Sequence, residues 1–390
     1  MTTANSKIPF TTLATVMLAP MTAFGAQYCM QPVIKLISSS FGKGAEGAGV
    51  IMSAAMLGMA LTLFVLIGIS DRLPVKKCVV GALFFAAAAT IAAPLINNFY
   101  LFFAVRVMQG SILSVIPVLV ISYARRSVEE KLAGYAVSLY VCGVTIGGLS
   151  GRLSMSFLTD LVGWRQGMLY LGSVYVVFAC LVLFLMRPDD QLRVEQAKDK
   201  EGGSVFCKEN LPLVGVCALA FCFSGCYFPV FNYVPYVFSV APYNFSNTVI
   251  GMFFAIQLFG TLGSFIAGKM HAKLGAGKIV AIGLAMILAG IWITTLVPAV
   301  IKIAGLIILT MGFYAMYAMI SGLAGRVAVR NKAGATAAFM FCSYMGGTFF
   351  SVGSGYAFAS IHWWGLVMQI TAEVIVCGAI LAWLKKYLEK

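Results

Sequence analysis

The chain has 390 residues, 61% of them hydrophobic and only 10% charged, with a mean hydropathy of +0.94. A soluble domain carries about a quarter charged residues, so an ordinary water-soluble enzyme or binding module is excluded and a chain dissolved in a bilayer is implied. The formal net charge of +14, which in a soluble protein would suggest nucleic acid, becomes a question of membrane topology, because loop lysines and arginines set orientation.

A helix needs about 20 apolar residues to cross the hydrocarbon core. Runs of that kind predict six spans in the first half, at 9–36, 48–69, 78–96, 99–124, 132–158 and 166–186, and six in the second, at 211–238, 247–269, 278–298, 301–324, 333–360 and 363–384. The first follows Lys7 and passes small residues at Ala23 and Ala26, as a signal peptide would. It then continues through Tyr28, Pro32 and Leu36, which predicts a retained span. The ten cysteines have no metal-ligand spacing and only two histidines to assist them, so they read as small core residues and no metal or other cofactor is expected.

Between the halves, residues 187–209 hold eleven charged side chains with Pro188, Gly202, Gly203 and Ser204, the composition of a solvated linker. With both termini on the cytoplasmic side, 21 of the 27 lysines and arginines face the cytoplasm. The halves repeat at an offset near 200 residues: Ala124 and Arg126 match Ala324 and Arg326, Cys142 matches Cys342, Gly147 matches Gly347, and Trp164 and Met168 match Trp364 and Met368. Parallel six-span repeats with a site near the midplane between them are the plan of many secondary transporters.

Within the first half, Asp71 and Arg72 end the second span in the loop Gly68-Ile-Ser-Asp71-Arg72-Leu-Pro74. An acid there can face the basic end of the fourth span, Arg125 and Arg126. In the fourth span Arg106, followed by Gln109, is a charge too costly at that depth unless it faces protein or a water-filled cavity. It is read as a functional residue, with structural pairing as the alternative. Gly143, Gly147 and Gly151 repeat every four residues in the fifth span and leave one helix face nearly bare, for sliding or simply for tight packing. Arg152 closes that run, and Asp160, eight residues on, is a candidate partner in an outer gate, against snorkelling of Arg152 to the interface.

In the second half, Pro229 and Pro235 break the seventh span around Asn232, Tyr233 and Tyr236. Prolines inside a span suit the wall of a cavity. With Gln31, Arg106, Gln109, Tyr140, Gln257, Tyr314, Tyr317 and Tyr344, these residues compose the expected substrate pocket, aromatic and poor in charge. Glu373 is the one acid of the thirteen expected inside a span, where a buried carboxyl can take up and release a proton near neutral pH.

The loop after the second span, with its counterpart Gly268-Lys-Met-His271-Ala-Lys273-Leu-Gly275-Ala-Gly277-Lys278, resembles the short loop shared across the major facilitator superfamily. Here Pro74 and Val75 stand where that loop has glycine and arginine. Tyr28-Cys-Met-Gln31-Pro32, Gly147-Gly148-Leu-Ser-Gly151-Arg152, Thr159-Asp160 with Gly163-Trp164-Arg165, and Phe231-Asn232-Tyr233 resemble the 12-span drug:proton antiporters, in particular the YnfM-like branch of bacterial inner-membrane efflux proteins. The resemblance to the family's antiporter motif lacks a proline near Gly148. It implies an all-α polytopic membrane protein with 12 transmembrane helices in two pseudo-symmetric six-helix bundles, 1–186 and 210–390, joined by the cytoplasmic linker 187–209. It also implies a cytoplasmic gate at Asp71 and Arg72. Arg125, Arg126, Gly143, Gly147, Gly151 and Arg152 are expected to act in gating beside them, and proton coupling is expected through Asp71 or Glu373.

The expected function is proton-coupled efflux of small amphipathic or drug-like compounds by alternating access. The alternatives are a proton-coupled transporter of a small organic anion, sugar or other metabolite, and a non-transporting membrane sensor, for which the linker and tail are short. No group of residues assembles a nucleophile, base and orienter, so an enzyme is not expected. The expected partners are a small-molecule substrate, the proton and membrane lipid, with no nucleic acid. The expected state is a monomer in the bacterial inner membrane.

Overall fold

The computed structural model describes residues 9–69, 73–188, 211–327 and 332–388, and these contain helices and no strand. In the first half the helices are α1 (Phe10–Tyr28), α2 (Ile34–Ser40), α3 (Ala45–Ile69), α4 (Val75–Ala92), α5 (Phe99–Leu113), α6 (Val115–Arg126) and α7 (Glu130–Leu185). The second half has α8 (Leu211–Gly225), α9 (Phe228–Phe238), α10 (Asn247–Met252), α11 (Gln257–Ile293), α12 (Ala299–Val327), α13 (Lys332–Ile361) and α14 (Trp363–Leu388).

Proline sets most of the interruptions. Pro32 opens the 3-10 turn Gln31–Val33 that separates α1 from α2, and Pro229 stands in the first turn of α9 beyond the break at Cys226 and Tyr227. Pro117, lacking an N–H, cannot donate to the carbonyl of Leu113, where α5 ends and α6 begins. Each of these pieces was expected within one apolar run.

Ten helical segments among the described residues are long and apolar enough to cross a membrane. Two of them, of 55 and 47 residues, are about twice the length a span requires. Each contains a glycine in left-handed backbone, Gly163 at φ 81° and Gly275 at φ 75°, a conformation that glycine adopts without steric cost. The chain folds back at Gly163: a side chain added at Gly167 would lie 3.1 Å from Leu158 Cβ and 3.6 Å from Met155 Cε, whereas nine residues of straight helix span about 13 Å. At Gly275 the same reversal brings Gly263 and Met286 to one small cleft. Divided at these glycines, the segments number twelve.

Buried apolar residues form one large cluster drawn from Val16 to Met186 and a second from Leu213 to Leu384, joined by Ala45. Around them an exposed apolar surface includes Val65, Phe157, Leu161, Phe184, Phe265, Phe349 and Ile375, the lipid-facing belt of a multi-pass membrane protein. In lipid the helices gain little from hydrophobicity alone, and association relies on close packing of small residues. The glycines of α7 serve this purpose: Gly143 meets the backbone of Met17, Gly147 that of Met21, and Gly151 that of Gly25. On the other side Gly346 of α13 meets the backbone of Phe221 in α8.

Candidate functional site

The two halves meet at the end of the molecule remote from the basic loops. Gly49 of α3 lies against Tyr233 and the backbone of Ser351, and Gly355 against Ala45 and Glu46. Gln31 Nε2 donates to Asn232 Oδ1 at 2.7 Å, Lys35 Nζ to Ser239 Oγ at 2.8 Å, and Tyr236 OH to the carbonyl of Gly44 at 3.1 Å. Gly251 at the end of α10 abuts Ser156 of α7. Beyond it Asp160 crosses between the halves: its carboxylate accepts from Asn247 N at 3.1 Å, Asn247 Nδ2 at 2.7 Å, Thr248 N at 2.7 Å and Thr248 Oγ1 at 2.6 Å.

Behind this seal lies a cavity of about 270 Å³ lined from both halves. From α1 come Phe24, Tyr28 and the adjoining Gln31, and from α7 Val144, Thr145, Gly148 and Arg152. The second half adds Tyr227, Phe228, Phe231, Gln257, Thr261, Phe313, Tyr314, Tyr317, Met340, Ser343 and Tyr344. Wall residues nearer the seal, such as Gln31, Arg152, Tyr227 and Phe231, are buried, whereas Phe24, Val144, Thr145, Tyr317 and Met340 on the far side are partly or fully exposed. The cavity therefore opens toward the end carrying Arg125, Arg126 and Arg326.

Its walls are mainly rings. Tyr227 stacks on Phe313 at 4.1 Å between centroids and meets Tyr314 edge-on at 5.6 Å. Among the described residues the only charged one in the lining is Arg152, 4% exposed. Its guanidinium carbon lies 4.5 Å from the Tyr28 ring centroid and 5.1 Å from that of Phe254. Nε donates to Gln31 Oε1 at 2.8 Å, and Nη1 to the carbonyl of Gly148 at 2.8 Å and to Gln257 Oε1 at 3.4 Å.

Of the residues expected in the pocket, Gln31, Gln257, Tyr314, Tyr317 and Tyr344 line the cavity. Arg106 and Gln109 do not. Arg106, 1% exposed, donates to Gln109 Oε1 at 2.5 Å and to the carbonyl of Gln27 at 2.9 Å, and Gln109 Nε2 donates to the carbonyl of Ala86 at 3.2 Å. The pair ties α1, α4 and α5 together, because a buried guanidinium satisfies its donors on whatever carbonyls lie within reach. Tyr140 belongs to the first buried cluster. Asn232, Tyr233 and Tyr236 belong to the seal; Asn232 Nδ2 donates to Ser351 Oγ at 3.3 Å and Tyr233 OH to the Ser351 carbonyl at 2.9 Å.

The expected gate residues divide likewise. Asp71 and Arg72 lie outside the described residues, while Arg125 and Arg126 occupy the last turn of α6. Arg152 and Asp160 are not paired: one turns to the cavity and the other to α10. Gly143, Gly147 and Gly151 pack within the first half and not across the halves. Glu373 is buried in the second half, away from the cavity wall. Gln369 Nε2 donates to one of its oxygens at 2.7 Å, and the carboxyl lies beside Gly225 and the Cys226 thiol.

Sequence reasoning missed Arg152 as a cavity residue, and it missed Phe228, Phe313, Thr261 and Ser343 altogether. Tyr28 beside Gln31 was the available signal, since both precede the break at Pro32. Arg106→Leu is expected to lower the melting temperature by several degrees, since orphaned acceptors around the removed guanidinium cost about 1–3 kcal/mol, while leaving ligand preference unchanged. Thermal melting with and without ligand checks both halves of this expectation.

Comparison with known proteins agrees with this architecture. The sequence profile of the Major Facilitator Superfamily matches residues 16–351. The chain is 25% identical over 369 residues to the uncharacterized MFS-type transporter YybF of Bacillus subtilis (strain 168), covering 94% of this chain and 90% of that one. It is 24% identical over 365 residues to the inner membrane transport protein YnfM of Escherichia coli (strain K12), covering 92% and 86%. Among solved structures, a bacterial homologue of the human lysosomal transporter Spinster, inward-facing and unoccupied, shares the fold with a TM-score of 0.78 at 16% identity over 97% of both chains. The chain is a member of the major facilitator superfamily, a family of membrane transporters and not of enzymes.

Proposed function

We propose that the protein is a secondary active transporter that exports small amphipathic compounds from the cytoplasm by alternating access, working as a monomer in a bacterial inner membrane. The observation that carries this reading is the ring-lined cavity between the halves, closed at one end and open at the basic end. All twelve segments cross the membrane, and residues 1–186 and 210–390 rock as two bundles about the cavity. The excess of lysine and arginine at the open end supports a cytoplasmic side there, with both termini, and an inward-facing conformation. Aromatic walls with few fixed polar contacts accept flat apolar ligands of varied shape.

The driving ion is the proton. Glu373, the buried acid among those described, is its carrier in the second half, and Asp71 is the candidate on the cytoplasmic side. In proteoliposomes under an imposed pH gradient, the wild type accumulates an amphipathic aromatic probe. Glu373→Gln loses gradient-driven accumulation but keeps probe exchange, and Asp71→Asn is compared beside it. Absence of gradient-driven flux in the wild type across a chemically broad panel would overturn the reading. Full flux in both variants would remove these acids as obligatory carriers.

A further inference from the structure

The geometry points to Arg152 as an anion-recognition site in the cavity, so that the transported compound is an aromatic or amphipathic acid whose carboxylate or equivalent anionic group docks on the guanidinium. The inference rests on the transport reading above and adds the substrate's chemical class.

Three observations carry it. First, the positive charge has no counter-ion among the described residues: every hydrogen-bond acceptor of Arg152 there is a neutral amide oxygen, from Gln31, Gly148 and Gln257, and none of the described aspartates and glutamates lines the cavity. The described acids are engaged elsewhere or exposed: Asp160 with Asn247 and Thr248, Glu373 with Gln369, Glu46 with the Gly44 N–H, and Glu129 on the surface. A guanidinium at this burial is costly without an opposite charge, and a substrate anion supplies it.

Second, the donors are arranged for a ligand. A guanidinium has five N–H donors, and the bonds above use Nε and Nη1, leaving the two donors of Nη2 without an acceptor among the described residues. Arg152 is itself one of the residues that line the cavity. Gln31, Gln257, Tyr28 and Phe254 hold the group in place from around it, so little ordering remains to be done when an anion binds.

Third, the charge and the rings face the same space. An anion at Arg152 would place the apolar remainder of its molecule among Tyr227, Phe313, Tyr314 and Tyr344. A cationic amphiphile finds no acidic wall residue to offset the repulsion from Arg152.

The test is binding, measured apart from flux. Benzoate, salicylate, phenylacetate and indole-3-acetate are compared with their neutral amides by equilibrium dialysis against purified protein in nanodiscs at pH 7, where carboxyl groups of pKa about 4 are ionised. At least one carboxylate is expected to bind tenfold or more tightly than its amide. Arg152→Gln reduces that preference to within about twofold, while Arg152→Lys, which keeps the charge but not the fork, retains part of it. Gln257→Glu places a carboxylate beside the guanidinium and is expected to abolish the preference with the arginine still present, which covers the case that Arg152→Gln fails to fold. The proposal falls if no carboxylate of the panel outbinds its amide, or if the preference survives both Arg152→Gln and Gln257→Glu. Gradient-driven flux of amides and carboxylates alike would sink the anion site and leave the transport reading standing.

Discussion

Gly147→Leu is expected to abolish transport and lower the melting temperature, while Gly134→Leu is expected to do neither to a comparable degree. Gly147 packs directly on the backbone of Met21, where an added side chain meets main-chain atoms that cannot rotate away. At Gly134, nearer the basic end of the same helix, the first carbon of an added side chain would meet nothing within 4 Å. Overpacking a close contact costs about 1–3 kcal/mol, and clashes with backbone fall at the upper end of that range. The strain is directed at α1, which carries Phe24, Tyr28 and the adjoining Gln31 into the cavity wall, so displacement of α1 disturbs the site as well as the bundle. Gly147→Ala, with one carbon to accommodate, is expected to be intermediate. Flux in proteoliposomes and thermal melting of the same preparations check the series. Equal and small effects at Gly134 and Gly147 would show that the four-residue glycine spacing is tolerant and that α1 and α7 are not held by it.

Asp160→Ala is expected to shift the protein away from the sealed conformation. Its carboxylate takes four donors from Asn247 and Thr248 across the junction of the halves, two of them backbone N–H groups that α10, at its first turn, cannot satisfy internally. Hydrogen bonds to a charged acceptor are worth about 1.5–3 kcal/mol when protected, but Asp160 is exposed, and screening reduces the whole set to about 1–2 kcal/mol. A change of that size moves a balanced two-state equilibrium by about five- to thirtyfold. Spin labels on Leu161 and Val240, both exposed near this end, would report it as a longer-distance population in pulsed electron paramagnetic resonance. Asp160→Asn keeps two acceptor lone pairs but loses the charge, and is expected to lie between. An unchanged distance distribution in Asp160→Ala would assign closure to the other contacts across the seal, those of Gln31, Lys35, Tyr236, Gly49, Gly251 and Gly355.

Composition was sufficient for the class, because a chain this apolar and this poor in charge has no stable arrangement in water. The spacing of the apolar runs was sufficient for the helical segments. The glycine face of α7 was also legible, since four-residue spacing places those positions on one side of a helix whatever it packs against. Which partner it meets was not, and α1 of the same half, not the opposite half, proved to be the answer. The proline breaks were legible as breaks but not in consequence: Asn232, Tyr233 and Tyr236 turned toward the seal and not the cavity.

The two buried arginines show the limit most clearly. Arg106 and Arg152 are the same residue type in spans of similar character, and a one-dimensional pattern assigns each a depth but no direction. Only the tertiary structure decided that Arg106 closes on Gln109 and the carbonyl of Gln27 inside one bundle while Arg152 forms part of the cavity wall. The physical reason is that a charge buried in a membrane protein takes its role from the groups it can reach, and those groups come from helices tens or hundreds of residues away.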